Sequence, residues 1–276
     1  MQSEKEETFH KLHHNGKILL LPNIWDPIGA MMLQDLGYPA VATASSSMAL
    51  SNGYSDGEQL PFEEVLFYLK KIVKSVSVPV TADVESAYSG DDLKLLSEHI
   101  KKLIDTGISG LNFEDSIHGK AGMIGVEEQV RKLQTIRKAA DNAGSHIFIN
   151  ARVDVYIKGA NLDEGEKLEE AIKRGRAYKD AGADGLYPII LKNKNHIGAL
   201  VKEVGLPINL TLIPGLPGLD ILQKMGVARV SLASGFLKVG ITAMKNVAEK
   251  LLKYEGTEEA TLNKVSSEYL EGLVKH

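Results

Sequence analysis

A chain of 276 residues with 43% hydrophobic and 25% charged residues can bury a large core, and a single α/β barrel commonly reaches this size. Its formal net charge of -4, with Lys and Arg scattered among the acids, gives no footprint for nucleic acid or an anionic membrane. No apolar run nears the roughly 18 residues that span a bilayer, the opening MQSEKEETFHKLHHNGK lacks the apolar middle of a secretory signal, and the absence of cysteine removes disulfides, thiolate metal sites and a thiol nucleophile.

A soluble, cytoplasmic protein is the expectation. Along the chain, His10, His13 and His14 come first and share a helical face. They could bind a metal, but they precede the first strand, and a solvated helix is the expected reading. Short apolar, β-branched runs follow, from KILLLPNIW and AVATAS through VPVTADVE, GLNFED, HIFINARVD, GLYPII and PINLTL to ARVSLAS. Each reads as a buried strand. Between them lie segments such as FEEVLFYLKKIVKSV and DDLKLLSEHIKKLIDTG, with apolar residues at helical spacing. Gly37, Gly107, Gly144, Gly182, Gly205 and Gly226 stand where a left-handed residue ends a helix.

About eight strand-then-helix units describe a (β/α)8 TIM-type barrel. The doubly wound alternative needs a phosphate-binding glycine fingerprint after the first strand, and LPNIWDPIGA has none. Residues 1–240 are assigned to the barrel with its N-terminal helix, and 241–276 to a helical extension of the same domain.

In such barrels the chemistry sits at the carboxyl ends of the strands. That rim collects Trp25 and Asp26, Thr43 to Ser46, Asp83 and Glu85, Glu114 and Asp115, Arg152 and Asp154, Tyr187, Asn209 and Thr211, and Ser231 to Ser234. Asp83 and Glu85, two apart on one strand, can face the mouth together. Acids converging from neighbouring strands repel unless a cation sits among them, and an all-oxygen set suits Mg²⁺ or Mn²⁺ rather than zinc. The plainer alternative is that each acid caps a helix or forms a turn; for Asp83, Glu85 and Glu114 together, metal binding is preferred.

The stretch LLLPNIWDPIGAMMLQDLGYPAVATASSSMALSNGYSDGE, then PVTADVESAYSG, LNFEDS, NARVD and GADGLYP, resembles the isocitrate lyase and phosphoenolpyruvate mutase superfamily from about Leu19 to Thr211. The resemblance implies a Mg²⁺-dependent barrel that binds a small 2-oxo acid or phosphonate and makes or breaks a C–C or P–C bond through an enolate-like state. It also implies a last barrel helix exchanged between subunits, hence a homodimer or homotetramer. Residue by residue, it makes Glu85 the metal carboxylate, with Asp83 and Glu114 holding metal-bound waters. Arg152 grips the substrate carboxylate, which the backbone of Thr43, Ala44, Ser45 and Ser46 also holds. Asp56 becomes an acid near the reacting centre, Trp25 a pocket wall, and Asn209 and Thr211 substrate contacts. For the last two the alternative is polar filling of the barrel.

Two departures narrow the activity. The dedicated lyases carry a loop with a catalytic cysteine after the fourth strand, where this chain has SIHGKAGMIGVEE, and an acid after the sixth, where Ile189 stands. A mutase, hydrolase or decarboxylase is expected, with a 2-oxo acid binding protein of little or no activity as the alternative. Gly119, Gly122 and Gly125 space the loop from Ser116 for mobility, so it is expected to act as a lid that brings His118 or Lys120 in as acid or base. A plain surface loop is equally compatible with those residues. Lys192, Lys194 and His196 could reach a second anionic group or simply begin a helix.

Overall fold

The computed structural model describes residues 2–119, 122–262 and 265–275. Its strands are β1 (Leu19–Leu21), β2 (Asn23–Ile24), β3 (Val41–Thr43), β4 (Val80–Asp83), β5 (Gly110–Glu114), β6 (Phe148–Val153), β7 (Gly185–Pro188), β8 (Asn209–Thr211) and β9 (Arg229–Ser231). The first expected strand is divided at Pro22, which has no N–H to give to a ladder. Before that proline the chain pairs with β9, and after it with β3. One parallel sheet runs β2-β3-β4-β5-β6-β7, the other β1-β9-β8, and a parallel bridge between Leu186 and Ile208 joins them. With β1 and β2 counted as one bent strand, the ladder closes as the expected eight-stranded parallel barrel.

Helices α1 (Gln2–His14), α2 (Pro27–Asp35), α3 (Ser45–Ser51), α4 (Phe62–Lys74), α5 (Leu93–Ile104), α6 (Val126–Asn142) and α7 (Val155–Lys158) accompany the first five barrel strands. They are followed by α8 (Glu164–Asp180), α9 (Lys194–Val204), α10 (Leu219–Lys224), α11 (Gly235–Leu251), α12 (Thr257–Thr261) and α13 (Ser267–Val274). α5 shows why these segments are helical. Asp92 caps it, accepting from the N–H groups of Lys94 at 2.8 Å and Leu95 at 3.0 Å, and its buried stripe is Leu96, Ile100, Leu103 and Ile104. That stripe packs on Leu111 and Phe113, which alternate along β5 with the inward Gly110, Asn112 and Glu114. All six glycines expected to end helices have positive φ, from 67° at Gly144 to 97° at Gly182.

The barrel interior is more polar than apolar strand runs led one to expect. Asn23, Asn112, Asn150, Asn209 and Arg229 are all buried, and Asn150 Nδ2 donates to Asn112 Oδ1 at 2.8 Å. Arg229 is fully buried, with no hydrogen-bond partner for its three nitrogens among the described residues. Burial brings its pKa down to about 10, so it stays charged at neutral pH.

α1 plugs the barrel floor. Phe9 packs with Leu19, Leu21, Ala40, Ala42 and Phe148, and His13 stacks on Phe148 at 4.0 Å while its Nδ1 donates to the Phe9 carbonyl at 2.8 Å. The expectation of a solvated histidine face therefore fails at His13, because the helix turns that side under the barrel; His14 remains exposed. Burial, and next the Arg229 charge, push the His13 pKa from 6.5 to about 3. A folded value below the unfolded one means that the stability is complete above about pH 6.5 and is lost as pH falls toward 3, by up to about 1.4 kcal/mol per pH unit. The melting temperature should fall between pH 7 and pH 5, and His13→Phe should flatten that slope. An unchanged slope in the variant would show that His13 is not the titrating group.

Beyond β9 the chain continues without a break through α11, so the division expected at residue 240 falls inside a helix. Of the 17 residues of α11 only Leu237 is buried, and Val239, Ile241 and Met244 are exposed. α13 returns to the barrel, where Leu273 is buried and Tyr269 donates to Asp35 Oδ2 at 3.0 Å. Among the described residues no helix is long and apolar enough to cross a membrane.

Candidate active site

Asp83 ends β4, and Glu85 lies past the strand, in a turn. The simple alternation expected for the pair is replaced by a left-handed run, with φ of 54° at Glu85, 59° at Ala87 and 57° at Tyr88. Side-chain residues rarely adopt that conformation, so something must hold it. Asp83 Oδ2 accepts from the Ser45 hydroxyl at 2.9 Å, and its own N–H donates to Thr43 Oγ1 at 3.2 Å. Glu85 is 4% exposed; its Oε2 accepts from the Glu58 N–H at 2.8 Å, and its carbonyl accepts from the Glu114 N–H at 2.9 Å.

On the neighbouring strands Glu114 and Arg152 stand in register. Arg152 Nη1 pairs with Glu114 Oε2, while Nε and Nη2 bind the two oxygens of Asp154 at 2.7 and 2.8 Å. These bonds take three of the five N–H donors and fix the plane of the guanidinium. The Ser116 hydroxyl donates to Asp154 Oδ2, tying the start of the following loop to the same carboxylate. Asp115 points the other way, fully buried against Arg174 and Tyr178, each at 2.8 Å.

One cavity of about 260 Å³ is lined by Ser45, Asp56, Glu85, Glu114, His118 and Arg152 among others. His118 lies between three carboxylates, its Nε2 3.5 Å from Glu114 and 3.9 Å from Glu58, its Nδ1 3.8 Å from Glu85. Burial, then the charges of Asp83, Asp56, Glu114 and Glu58, push Glu85 up to about 9. Burial pushes Glu114 up to about 8 against the opposing pull of Arg152, and burial with Asp83 raises Asp56. Carboxyl groups in that condition need either a proton or a cation. Among the described residues no three His, Asp or Glu side chains already converge as an ion cage. Asp83, Glu85 and Glu114 offer oxygen donors only, and that set fits a hard divalent ion.

Not all the expected residues meet in this cavity. Trp25 lines a separate apolar cavity of about 480 Å³ with Met32, Phe236, Val239 and Leu270. Asn209 Oδ1 accepts from the Ser231 hydroxyl at 3.2 Å, and Thr211 bonds Tyr187 at 2.8 Å, both buried. Ala44 precedes α3 and Ser45 begins it; of Thr43, Ala44, Ser45 and Ser46 only Ser45 lines the cavity. Lys120 lies outside the described residues. At the two ends of the loop Ser116 bridges Met123, and the Ile124 N–H donates to the Asp115 carbonyl at 2.8 Å. Lys192 and Lys194 line another cavity with Tyr156, and His196 lies against the Tyr156 hydroxyl at 3.3 Å. Asp154, expected on the rim beside Arg152, is part of the site, and Glu58 is a residue that sequence reasoning missed, since it carried no signal beyond following Asp56.

A family model for phosphoenolpyruvate phosphomutase matches residues 9–252. The chain belongs to that family. It is an enzyme of the isocitrate lyase and phosphoenolpyruvate mutase superfamily, whose members act as mutases, lyases and decarboxylases on small acids. A crystal structure of a candidate phosphonomutase from Burkholderia cenocepacia J2315 is 39% identical, with a TM-score of 0.83 over 91% of this chain and 99% of that one. An uncharacterized protein of Mycobacterium tuberculosis is 30% identical over 87% of each chain. The 2-methylisocitrate lyase of Halalkalibacterium halodurans is 26% identical over 94% of this phosphomutase-family chain and 85% of its own.

Proposed function

We propose that this protein is a Mg²⁺- or Mn²⁺-dependent enzyme that cleaves or transfers the group on C3 of a small 2-oxo acid or phosphonate, by a route that uses no cysteine. The observation that carries this reading is the cavity in which Asp56, Glu85 and Glu114 face the single guanidinium of Arg152. Glu85 would hold the ion directly, with Asp83 and Glu114 beside it. Bound there, a divalent ion supplies electrophilic stabilisation of the negative charge that grows on the 2-oxo oxygen.

The chain's own residues do the rest. Arg152, its plane set by Asp154, has two further N–H donors for the substrate carboxylate, and Ser45 lies at the cavity wall to share that load. When the bond to C3 breaks, its electron pair stays with the oxo-acid fragment and a proton must return to C3. Asp56, whose pKa burial raises, and His118 are the acids within the cavity that can supply it. A screen of oxaloacetate, phosphonopyruvate, phosphoenolpyruvate and 2-methylisocitrate with Mg²⁺ tests the reading. Pyruvate release that stops on chelation is expected from one of the first two, and no turnover of any of the four contradicts it.

The exposed apolar residues of α11 support a second part of the proposal, an assembly in which this helix packs on a neighbouring subunit. Light scattering at micromolar concentration should give a dimer or tetramer mass. A monomer mass would exclude the exchange.

A further inference from the structure

We infer that Glu58 is a positioning residue that holds the carboxylate of Glu85 in the site by clasping the left-handed turn on which it stands. The inference rests on the metal role of Glu85 proposed above. Glu58 Oε1 accepts three hydrogen bonds from that turn: the Ser86 hydroxyl at 2.7 Å, the Tyr88 N–H at 2.7 Å and the Ser86 N–H at 3.2 Å. In the opposite direction the Glu58 N–H donates to Glu85 Oε2 at 2.8 Å. The side chain thus fixes the backbone of the turn while the main chain fixes the tip of the carboxylate. Glu58 is itself left-handed, with φ of 61°, so both sides of the clasp hold a conformation that side chains rarely take alone.

The geometry separates two ways in which Glu58 could act. If its role is to accept from Ser86 and Tyr88, the amide oxygen of glutamine can replace the carboxylate oxygen at the same reach. If its role is charge, aspartate keeps the charge but, being one methylene shorter, cannot reach all three donors. The expected order of Mn²⁺ affinity is therefore parent and Glu58→Gln within about threefold, and Glu58→Asp and Glu58→Ala weaker by about tenfold or more, as when a partner of a metal ligand is removed. Should Glu58→Ala not fold, Glu58→Gln against Glu58→Asp still decides.

The experiment is Mn²⁺ titration of the parent and the three variants by electron paramagnetic resonance, with hydrogen exchange at the Ser86 and Tyr88 amides of the same samples. Faster exchange in the Asp variant than in the Gln variant, paired with the affinity order above, is the expected result. Gln as damaging as Ala, or a Mn²⁺ affinity indifferent to all three substitutions, overturns the inference and leaves the metal reading standing. A parent protein that binds no Mn²⁺ overturns the metal reading and the inference together.

Discussion

Glu85→Ala should weaken Mn²⁺ binding at least about 100-fold, the upper end of what losing a mere partner of a ligand costs. Glu85 is buried beside Asp83, Asp56, Glu114 and Glu58, and burial first, then those neighbouring charges, push its pKa up to about 9. An entering cation has to displace that proton, so affinity for the ion should also rise with pH up to about 9, by about tenfold per pH unit for each proton released. In the variant no such proton remains at position 85, and the pH dependence should become shallower along with the loss of affinity. Titration of Mn²⁺ at pH 6 and pH 8 into parent and variant measures both. Equal affinity in the two proteins would remove Glu85 from the site.

Arg152→Lys should lower kcat/KM by about 10- to 100-fold, the cost of losing an oriented hydrogen bond to a charged group. Lysine retains the positive charge but not the planar fork, and here each of the three nitrogens of the fork is engaged. Nε and Nη2 lie on Asp154 and Nη1 on Glu114, which orients the remaining donors before any substrate arrives. The ammonium group can satisfy one of those acids at a time, so the carboxylate of the substrate loses both a donor pair and its orientation. Steady-state kinetics on whichever acid is turned over checks this, with circular dichroism to confirm the fold. Activity within threefold of the parent would mean that another group holds the carboxylate.

The barrel was legible because each strand is a short apolar run bounded by glycine or proline and each helix keeps its apolar stripe on one side; Leu96, Ile100, Leu103 and Ile104 of α5 are an example. The charged groups at the strand ends were legible for the same reason, since Asp83, Glu114 and Arg152 interrupt apolar runs at the face where barrels do chemistry. Sequence patterns did not reach three features, each of which depends on contacts between distant segments. The left-handed turn at Glu85 is stabilised from Glu58, 27 residues earlier, so no local propensity announces it. His13 is buried only because α1 crosses beneath Phe148. Trp25 sits where a rim residue should, yet its ring faces the cavity between α2, α11 and α13. Asn209 and Thr211 stand on β8, as their place in the sequence implies, and the hydrogen bonds to Ser231 and Tyr187 that fix their side chains again come from other strands.

The central claim is that the acids around Glu85 and the guanidinium of Arg152 form one site for a divalent ion and a small oxo acid. A crystal structure of the protein with Mn²⁺ and oxalate, an enolpyruvate-like dianion, tests it most directly. The account predicts an anomalous peak at Glu85, flanked by Asp83 and Glu114, with oxalate reaching from that ion to Arg152. Manganese elsewhere on the protein, or oxalate bound away from Arg152, would contradict it.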